Sequence, residues 1–333
     1  MEKFCLGKIY SRLGDEESRS LFEKRLCYSL TGDIQKMIDA ILSESVIYKK
    51  LLKKNVFKFG AGSNAAATLK LFPKISWKGF IENDKSKVGK PSILPIISFE
   101  EFMANSGNAA VFISSPFYAS EMKLQLINSG FPEEFIVSIN QYFDLPQFKP
   151  GKKEFFIDAG GCDGDSTKGF FQWLQDNDCD GGRSIIFEPN PIQYNVCKDN
   201  LQNCDNTNVV NKGLWNKKET VKFCNCGLGS RIVPDGVEIV ETISLDEYLK
   251  DEKQPVTFIK MDVEGAELNA LKGAERIIKE HKPKLAICIY HKPEDVWEIP
   301  SLLLDFIPDY KFYIRHYSFN HSSDTILYAL LGN

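Results

Sequence analysis

Histidine is scarce in this chain: four residues, at positions 281, 291, 316 and 321, serve a length of 333. Any imidazole chemistry rests on one of these, the side chains that titrate nearest neutrality. Long apolar runs are absent, since no stretch approaches the roughly 18 uninterrupted apolar residues of a membrane span. Charges at positions 2, 3, 8, 12, 15–17 and 19 leave no apolar region for a signal peptide near the start. The nine cysteines include no C-x-x-C pair, a usage that fits a reducing, cytoplasmic setting. Cys224-x-Cys226 lacks the second pair that a zinc site requires. A surplus of one charge sign is also missing. With 41 basic and 45 acidic residues the net charge is −4, which gives no general attraction for nucleic acid.

What the chain has instead is a turn around which the rest is organised, Phe155-Phe-Ile-Asp158-Ala-Gly160-Gly161-Cys-Asp-Gly164-Asp-Ser-Thr167. An apolar run ends in an acid, turns through three glycines and enters a helix that carries Phe170, Phe171 and Leu174 on one face. Parallel α/β sheets bind ligands at the carboxyl ends of their strands, and this segment reads as such an end. Gly160 and Gly164 remove side chains where the backbone turns sharply. Asp165, Ser166 and Thr167 supply N-cap chemistry, and free N–H groups at that helix start favour an anion. The next apolar run, Ser184-Ile-Ile-Phe187-Glu188, also ends in an acid, the position of a carboxylate that takes both hydroxyls of a ribose.

Length favours two domains. The expected division is a helical segment at 1–52, a small Rossmann-like nucleotide-binding domain at 53–145 and a larger α/β domain at 152–333. In the first segment Ile34, Met37, Ile38, Ile41, Leu42, Val46 and Ile47 recur at helical spacing with Asp33 as a cap, and the segment reads as a packing or dimerising appendage. The small domain shows a strand at 56–59, the turn Gly60-Ala-Gly62-Ser-Asn-Ala65, and a strand from Trp77 to Glu82, an acid 20 positions after Gly62. Further strands are expected at 110–114 and 135–139, with a helix at 118–128 between them. In the larger domain strands end near Asp158, Glu188, Gly213, Asp262 and His291, with a β excursion at 219–245 and a terminal hairpin at 311–330. Five parallel strands and a terminal antiparallel hairpin make the doubly wound α/β layout of class I methyltransferases.

Four blocks carry a closer resemblance: Phe156-Ile-Asp158-Ala-Gly160-Gly161-Cys-Asp-Gly164-Asp-Ser-Thr167, Phe187-Glu188-Pro-Asn190-Pro, Ile243-Ser-Leu-Asp246-Glu-Tyr-Leu249 and Ile259-Lys-Met-Asp262-Val-Glu264-Gly265-Ala-Glu267. Through them the larger domain resembles the FkbM family of S-adenosylmethionine-dependent methyltransferases. The resemblance implies that Asp158, Gly160 and Gly164 shape a methionine pocket and that Glu188 holds the ribose. With Gly161, Thr167 and Asn190, these make the expected cofactor-binding set. Cys162 stands where family members often have Asn. The small domain is similar, through Phe59-Gly-Ala-Gly62 and Gly79-Phe-Ile-Glu82-Asn-Asp84, to nucleotide-binding domains attached to bacterial sugar-modifying enzymes. Such company implies O-methylation of a sugar or nucleotide-sugar acceptor, in the biosynthesis of a bacterial surface polysaccharide.

Methyl transfer to a hydroxyl needs alignment and a proton acceptor. His291 follows a parallel strand and is the expected base, with Asp262 and Glu264 as its catalytic partners and Asp295 placed to orient it or to serve substrate hydroxyls. His281 sits at a helix end where a cation suits the dipole, His316 falls on a hairpin strand and His321 in a turn. No metal ligand is expected, although a divalent ion is left open because imidazole and carboxylate suit several. A nicotinamide-dependent sugar oxidoreductase built on the first glycine turn leaves Asp262 to Glu267 unexplained and has no Tyr-x-x-x-Lys helix in that domain. A non-catalytic nucleotide-sugar-binding subunit would not need every acid just named.

Overall fold

The computed structural model describes residues 6–37, 51–62, 69, 75–113, 119–138, 142–143, 145–179, 181–224, 231–232, 235–317 and 324–332. The chain divides into two compact units, one of residues 38–141 with 319–321, the other of residues 1–37, 142–318 and 322–333.

In the smaller unit, strands β1 (Asn55–Phe59), β2 (Trp77–Glu82), β3 (Ile96–Ser98), β4 (Ala109–Ile113) and β5 (Ile136–Ser138) form one sheet in the order β3-β2-β1-β4-β5. Every pairing is parallel. A parallel sheet covered on both faces reads as continuous apolar sequence, as Ala109-Ala-Val-Phe-Ile113 does, buried at all five positions. A helix spans Ala119–Asn128. Lys58 on β1 donates to the Gly60 carbonyl (2.9 Å), and the Ala61 N–H donates to Glu82 (3.2 Å).

The larger unit is built on β6 (Glu154–Ala159), β7 (Gly182–Phe187), β8 (Thr207–Val210), β13 (Phe258–Met261), β14 (Lys284–Cys288), β15 (Tyr310–His316) and β16 (Thr325–Leu331), in the order β15-β16-β14-β13-β6-β7-β8. Six of these strands run in one direction and β16, set between β14 and β15, runs antiparallel to both. This is the class I methyltransferase layout. The order places β6 and β13 side by side at the centre, where the chain crosses from one half of the sheet to the other and ligands are bound. The excursion forms a separate sheet of β9 (Gly213–Leu214), β10 (Glu219–Cys224), β11 (Arg231–Ile232) and β12 (Glu238–Ile243). Six described cysteines carry free thiols, whereas Cys224 on β10 is disulfide-bonded, a departure from the all-reduced chain that the spacing suggested.

An aromatic cluster holds the Asp165–Gln175 helix against β6 and β13. Phe156 stacks on Phe170 at 4.7 Å, and Phe143 meets Phe156, Phe170, Trp173 and Phe258 at 5.5–6.4 Å. Pairs in such geometry contribute about 0.5–1.5 kcal/mol beyond their area. The buried face of that helix is Thr167, Phe170, Trp173 and Leu174. Trp173 takes the place expected for Phe171, because a shift of two positions turns a helical side chain by more than half a circle.

In the N-terminal segment, helices Leu6–Arg12 and Glu16–Thr31 pack with the larger unit. β15 is an edge strand, and an uncovered edge exposes unpaired backbone groups. Here Leu13 bridges to Phe312, the Gly14 N–H donates to the Phe312 carbonyl (2.8 Å), and the Ser18 hydroxyl accepts the Ile314 N–H (2.9 Å). Asp15 caps the second helix through the Ser18 N–H (2.9 Å) and also meets Arg315 at 2.6 Å. Of the periodic residues expected in this segment, Ile38 to Ile47 lie outside the described residues, as does His321.

Candidate active site at the carboxyl edge of the central strands

The turn after β6 packs its backbone directly onto the turn after β13. Gly160 has φ +77, and a Cβ there would overlap the Asp262 carbonyl oxygen, while one on Gly161 would overlap Ile186. Gly160 is therefore required by contact between the two strand ends, Gly161 by the Ile186 side chain on β7, and Gly164 by Leu201 as well as by its backbone angle. Gly164, at φ +88, precedes the Asp165–Gln175 helix and brings no side-chain cap. The hydroxyls expected to cap it do something else. Ser166 and Thr167 both donate to Asp158 Oδ2, at 2.5 and 2.9 Å.

Asp158 is fully buried, and its other oxygen lies 3.0 Å from Lys260 Nζ. Lys260, also buried, donates to the carbonyls of Gly160 (2.7 Å) and Ala159 (3.3 Å) and sits over the Tyr142 ring at 5.3 Å. Burial alone would lower its pKa, but the Asp158 and Asp262 carboxylates raise it above the ordinary lysine range. Asp158 and Thr167 thus brace the turn from beneath, through a lysine that the sequence reading passed over as one more strand residue. Its signal was a charged side chain in the continuous apolar run Phe258-Ile-Lys-Met261, a position where burial demands a partner.

Glu188 follows β7 and is 7% exposed. Its two oxygens accept the N–H groups of Cys162 (2.9 Å) and Asn190 (2.8 Å), so it ties the glycine turn to the next strand. Burial raises its pKa, while those two N–H groups and Lys260 oppose the rise. Asn190 is buried and caps the Pro191–Asn200 helix through the Ile192 N–H (2.9 Å). Burial pushes the Cys162 thiol up to about 12. The donor set fits S-adenosylmethionine at one clear point: each Glu188 oxygen accepts one backbone N–H and retains a second lone pair for a vicinal pair of ribose hydroxyls.

The second cluster gathers at the ends of β13 and β14. Asp262 accepts the hydroxyls of Tyr142 (2.8 Å) and Tyr290 (3.2 Å). His291 Nε2 lies 3.3 Å from Glu264 and 3.5 Å from Asp262, and its Nδ1 lies 2.9 Å from Glu267. These are charge contacts, since neither ring nitrogen makes an aligned hydrogen bond. Glu267 is fully buried and fixed by the Val263 N–H at 2.8 Å. The sequence brought Asp262, Glu264 and His291 to one edge, and the structure places them within one another's reach. It departs from expectation in two respects. Burial alone would lower the His291 pKa, but Glu264 and Glu267 push it up to about 10. The ring thus lacks the near-neutral pKa expected of an unperturbed histidine. Asp295 takes the Lys292 N–H (2.8 Å), leaving Glu267 as the group that orients the ring.

The other described histidines stand apart from this edge. His281 Nδ1 accepts the Val256 N–H (3.0 Å), and burial lowers its pKa, so it is a neutral acceptor and not the cation expected at a helix end. His316 shares a hydrogen bond with Thr325 across the hairpin (2.8 Å).

Residues 158–315 match the family model of the methyltransferase FkbM domain. Among solved structures, the chain is similar to methyltransferase FkbM from Methylobacillus flagellatus KT, with 18% identity over 90% of this chain and 100% of that one, at a TM-score of 0.48. It is also similar to an O-methyltransferase from Bacillus cereus in complex with SAH (15% identity, 64% and 90% covered, TM-score 0.36). A third similarity is to Aeropyrum pernix fibrillarin with natively bound S-adenosyl-L-methionine (13% identity, 55% and 70% covered, TM-score 0.35). None of the curated proteins matches the chain. The family match spans both strand-end clusters, and the chain thus carries the methyltransferase domain of the FkbM family and is an S-adenosylmethionine-dependent methyltransferase.

Proposed function

We propose that this enzyme methylates a hydroxyl of a sugar or nucleotide-sugar acceptor. The observation that carries the reading is the cluster of Asp262, Glu264 and His291 one strand along from the glycine turn. Neighbouring strands lie about 4.8 Å apart, so an acceptor lying against this cluster stands beside a cofactor held at the glycine turn and Glu188. Carboxylates are the natural partners of sugar hydroxyls, which donate hydrogen bonds to them.

When bound, S-adenosylmethionine supplies an electrophilic methyl group on a sulfonium. The chain's residues align the acceptor and receive its proton. As its oxygen took the methyl group that S-adenosylmethionine would supply, the acceptor's hydroxyl proton would pass to a carboxylate of the cluster. Glu264 is the carboxylate assigned to this, being the most open of the cluster at 30% side-chain exposure. Asp262, held by two tyrosine hydroxyls, positions the acceptor. Placement of the acceptor in surface polysaccharide biosynthesis rests on the sequence resemblance. The smaller unit is assigned the nucleotide of an activated sugar, through the Gly60 turn (φ +92) and the bond from the Ala61 N–H to Glu82.

The test is transfer of labelled methyl from S-adenosylmethionine to a panel of nucleotide sugars and free glycans, against catechols and peptides. Incorporation into sugars alone supports the reading. Incorporation into catechols or peptides with none into sugars overturns it.

A further inference from the structure

The sequence Asp262-Val-Glu264-Gly265 leaves β13 through two residues in the left-handed region, Glu264 at φ +53 and Gly265 at φ +91. This turn brings the Glu264 carboxylate back beside Asp262, and β14 delivers His291 alongside. One ligand atom from each of the three lies within 4.8 Å of the others, the one such group of acids, histidines and cysteines among the described residues. The separations from His291 Nε2 are 3.3 and 3.5 Å. Ligands at right angles around a small divalent ion, each about 2.1 Å from it, stand roughly 3 Å apart.

An independent observation points to a ligand. The His291 side chain is nine-tenths buried, with 9% exposure, yet its Nε2 has no aligned hydrogen-bond partner. Buried polar groups normally have one. Its Nε2 is aimed between the two carboxylates. Two of the three ligands are also held from behind. Glu267 stands 2.9 Å from Nδ1 and is fixed in turn by the Val263 N–H, the carboxylate–histidine arrangement that orients metal-binding imidazoles. Tyr142 and Tyr290 hold Asp262.

We propose that Asp262, Glu264 and His291 form a divalent-cation site whose remaining positions are filled by oxygens of the acceptor. Two carboxylates and one imidazole suit Mg²⁺, Mn²⁺ or a related ion. An ion here favours acceptors with two adjacent oxygens, which chelate it with one hydroxyl facing the methyl donor. The chelation rests on the methyl-transfer reading above, whereas the ion site does not.

The experiment uses the full chain, stripped of metal, and Mn²⁺ as the probe, followed by electron paramagnetic resonance and by thermal melting. Expected is one saturable Mn²⁺ per chain, displaced by Mg²⁺, with a rise in melting temperature. Glu264→Gln and His291→Ala each weaken Mn²⁺ binding by roughly 10–100-fold or more. Glu188→Ala leaves Mn²⁺ binding unchanged while weakening S-adenosylmethionine binding measured by calorimetry, which separates this proposal from the methyl-transfer reading. If His291→Ala does not fold, the near-isosteric Glu264→Gln decides. Absence of saturable Mn²⁺ binding in the wild type, or wild-type affinity in Glu264→Gln, overturns the site.

Discussion

Lys260 Nζ lies 3.0 Å from the Asp158 carboxylate, and both side chains are shut off from solvent beneath the glycine turn. Two buried opposite charges that satisfy each other contribute little net stability, but removal of one leaves the other uncompensated at a cost of about 3–5 kcal/mol. Lys260→Met is therefore expected to lower unfolding free energy by about that amount and to loosen cofactor binding, because the carbonyls of Ala159 and Gly160 lose their donor as well. Combining it with Asp158→Asn should restore much of the stability. Urea denaturation of the three variants tests this, and a Lys260→Met protein within about 1 kcal/mol of wild type would contradict the bracing role.

Glu188 acts on the turn from the other side. Read as a solvent-facing strand-end acid, it would be dispensable to the empty protein. Buried and accepting two backbone N–H groups, it is not. Charge-assisted hydrogen bonds contribute about 1.5–3 kcal/mol each. Glu188→Ala should accordingly weaken S-adenosylmethionine at least tenfold and also lower the melting temperature without cofactor. Calorimetric affinity equal to wild type would remove Glu188 from the cofactor site.

Those two residues show how much of the site the sequence displayed. Periodicity and turn chemistry located the strand ends that carry Asp158, Glu188 and Asp262, because strand ends are marked by glycine and by the switch from apolar to polar sequence. Alternation of strands and helices was enough to give the parallel layout of the larger unit, since parallel strands need crossovers, but not the order of its strands. What one-dimensional sequence does not encode is direction. Asp158, Thr167 and Asn190 stand in a motif associated with the cofactor, yet their side chains turn inward to Lys260, Asp158 and a helix N-terminus. The environment of His291 was equally hidden, because Glu267 reaches it from the first position of the helix Glu267–Lys272, three residues beyond Glu264.

Asp165 supplies a pH-dependent prediction. Burial, reinforced by Asp163, pushes its carboxyl up to about 6, while Lys168 opposes the rise. In the unfolded chain the group titrates near 3.9. The native state therefore binds the proton more tightly, and stability is gained as pH falls from about 6 toward 4 and is absent above 6. Asp165→Asn should raise the melting temperature at pH 7.5 and have a smaller effect at pH 4.5. Equal shifts at both pH values, followed by scanning fluorimetry, would refute the assignment.

Tyr142 links residue 262 to the chain's re-entry into the larger unit, with its hydroxyl on Asp262 and its N–H on the Tyr328 hydroxyl (3.1 Å). Burial, together with Asp262, raises its pKa well above the usual tyrosine range, so it stays a donor at all working pH values. Tyr142→Phe removes one hydrogen bond to a charged group, about 1.5–3 kcal/mol. With Tyr290 still in place, Asp262 is loosened and not released. The expected result is a kcat reduced by roughly 10-fold with the affinity for S-adenosylmethionine retained. A fall in cofactor affinity with kcat preserved would place Tyr142 in the cofactor pocket instead.

The N-terminal helices lead to a prediction about where the chain can be cut. Truncating the protein at residue 145 to isolate the methyltransferase domain would remove Leu13, Leu21, Phe22 and Tyr142, all at most 5% exposed within the larger unit. Each apolar side chain exposed costs about 1.5–3 kcal/mol, and the loss would bare the outer edge of β15. Residues from 152 onward are thus expected to aggregate when expressed alone. The edge itself is tested by a smaller change. Ser18 is fully buried, accepts the Ile314 N–H and receives Arg315 Nη1 at 3.1 Å. Ser18→Ala leaves a buried N–H without its acceptor, an expected loss of about 1–3 kcal/mol, whereas Ser11→Ala, on an exposed helix surface, should be nearly neutral. Hydrogen exchange would locate the effect: the Ile314 amide should lose protection in Ser18→Ala while amides of β6 and β13 keep theirs. Unchanged protection at Ile314 would show that the first helices lie on β15 without sealing its edge.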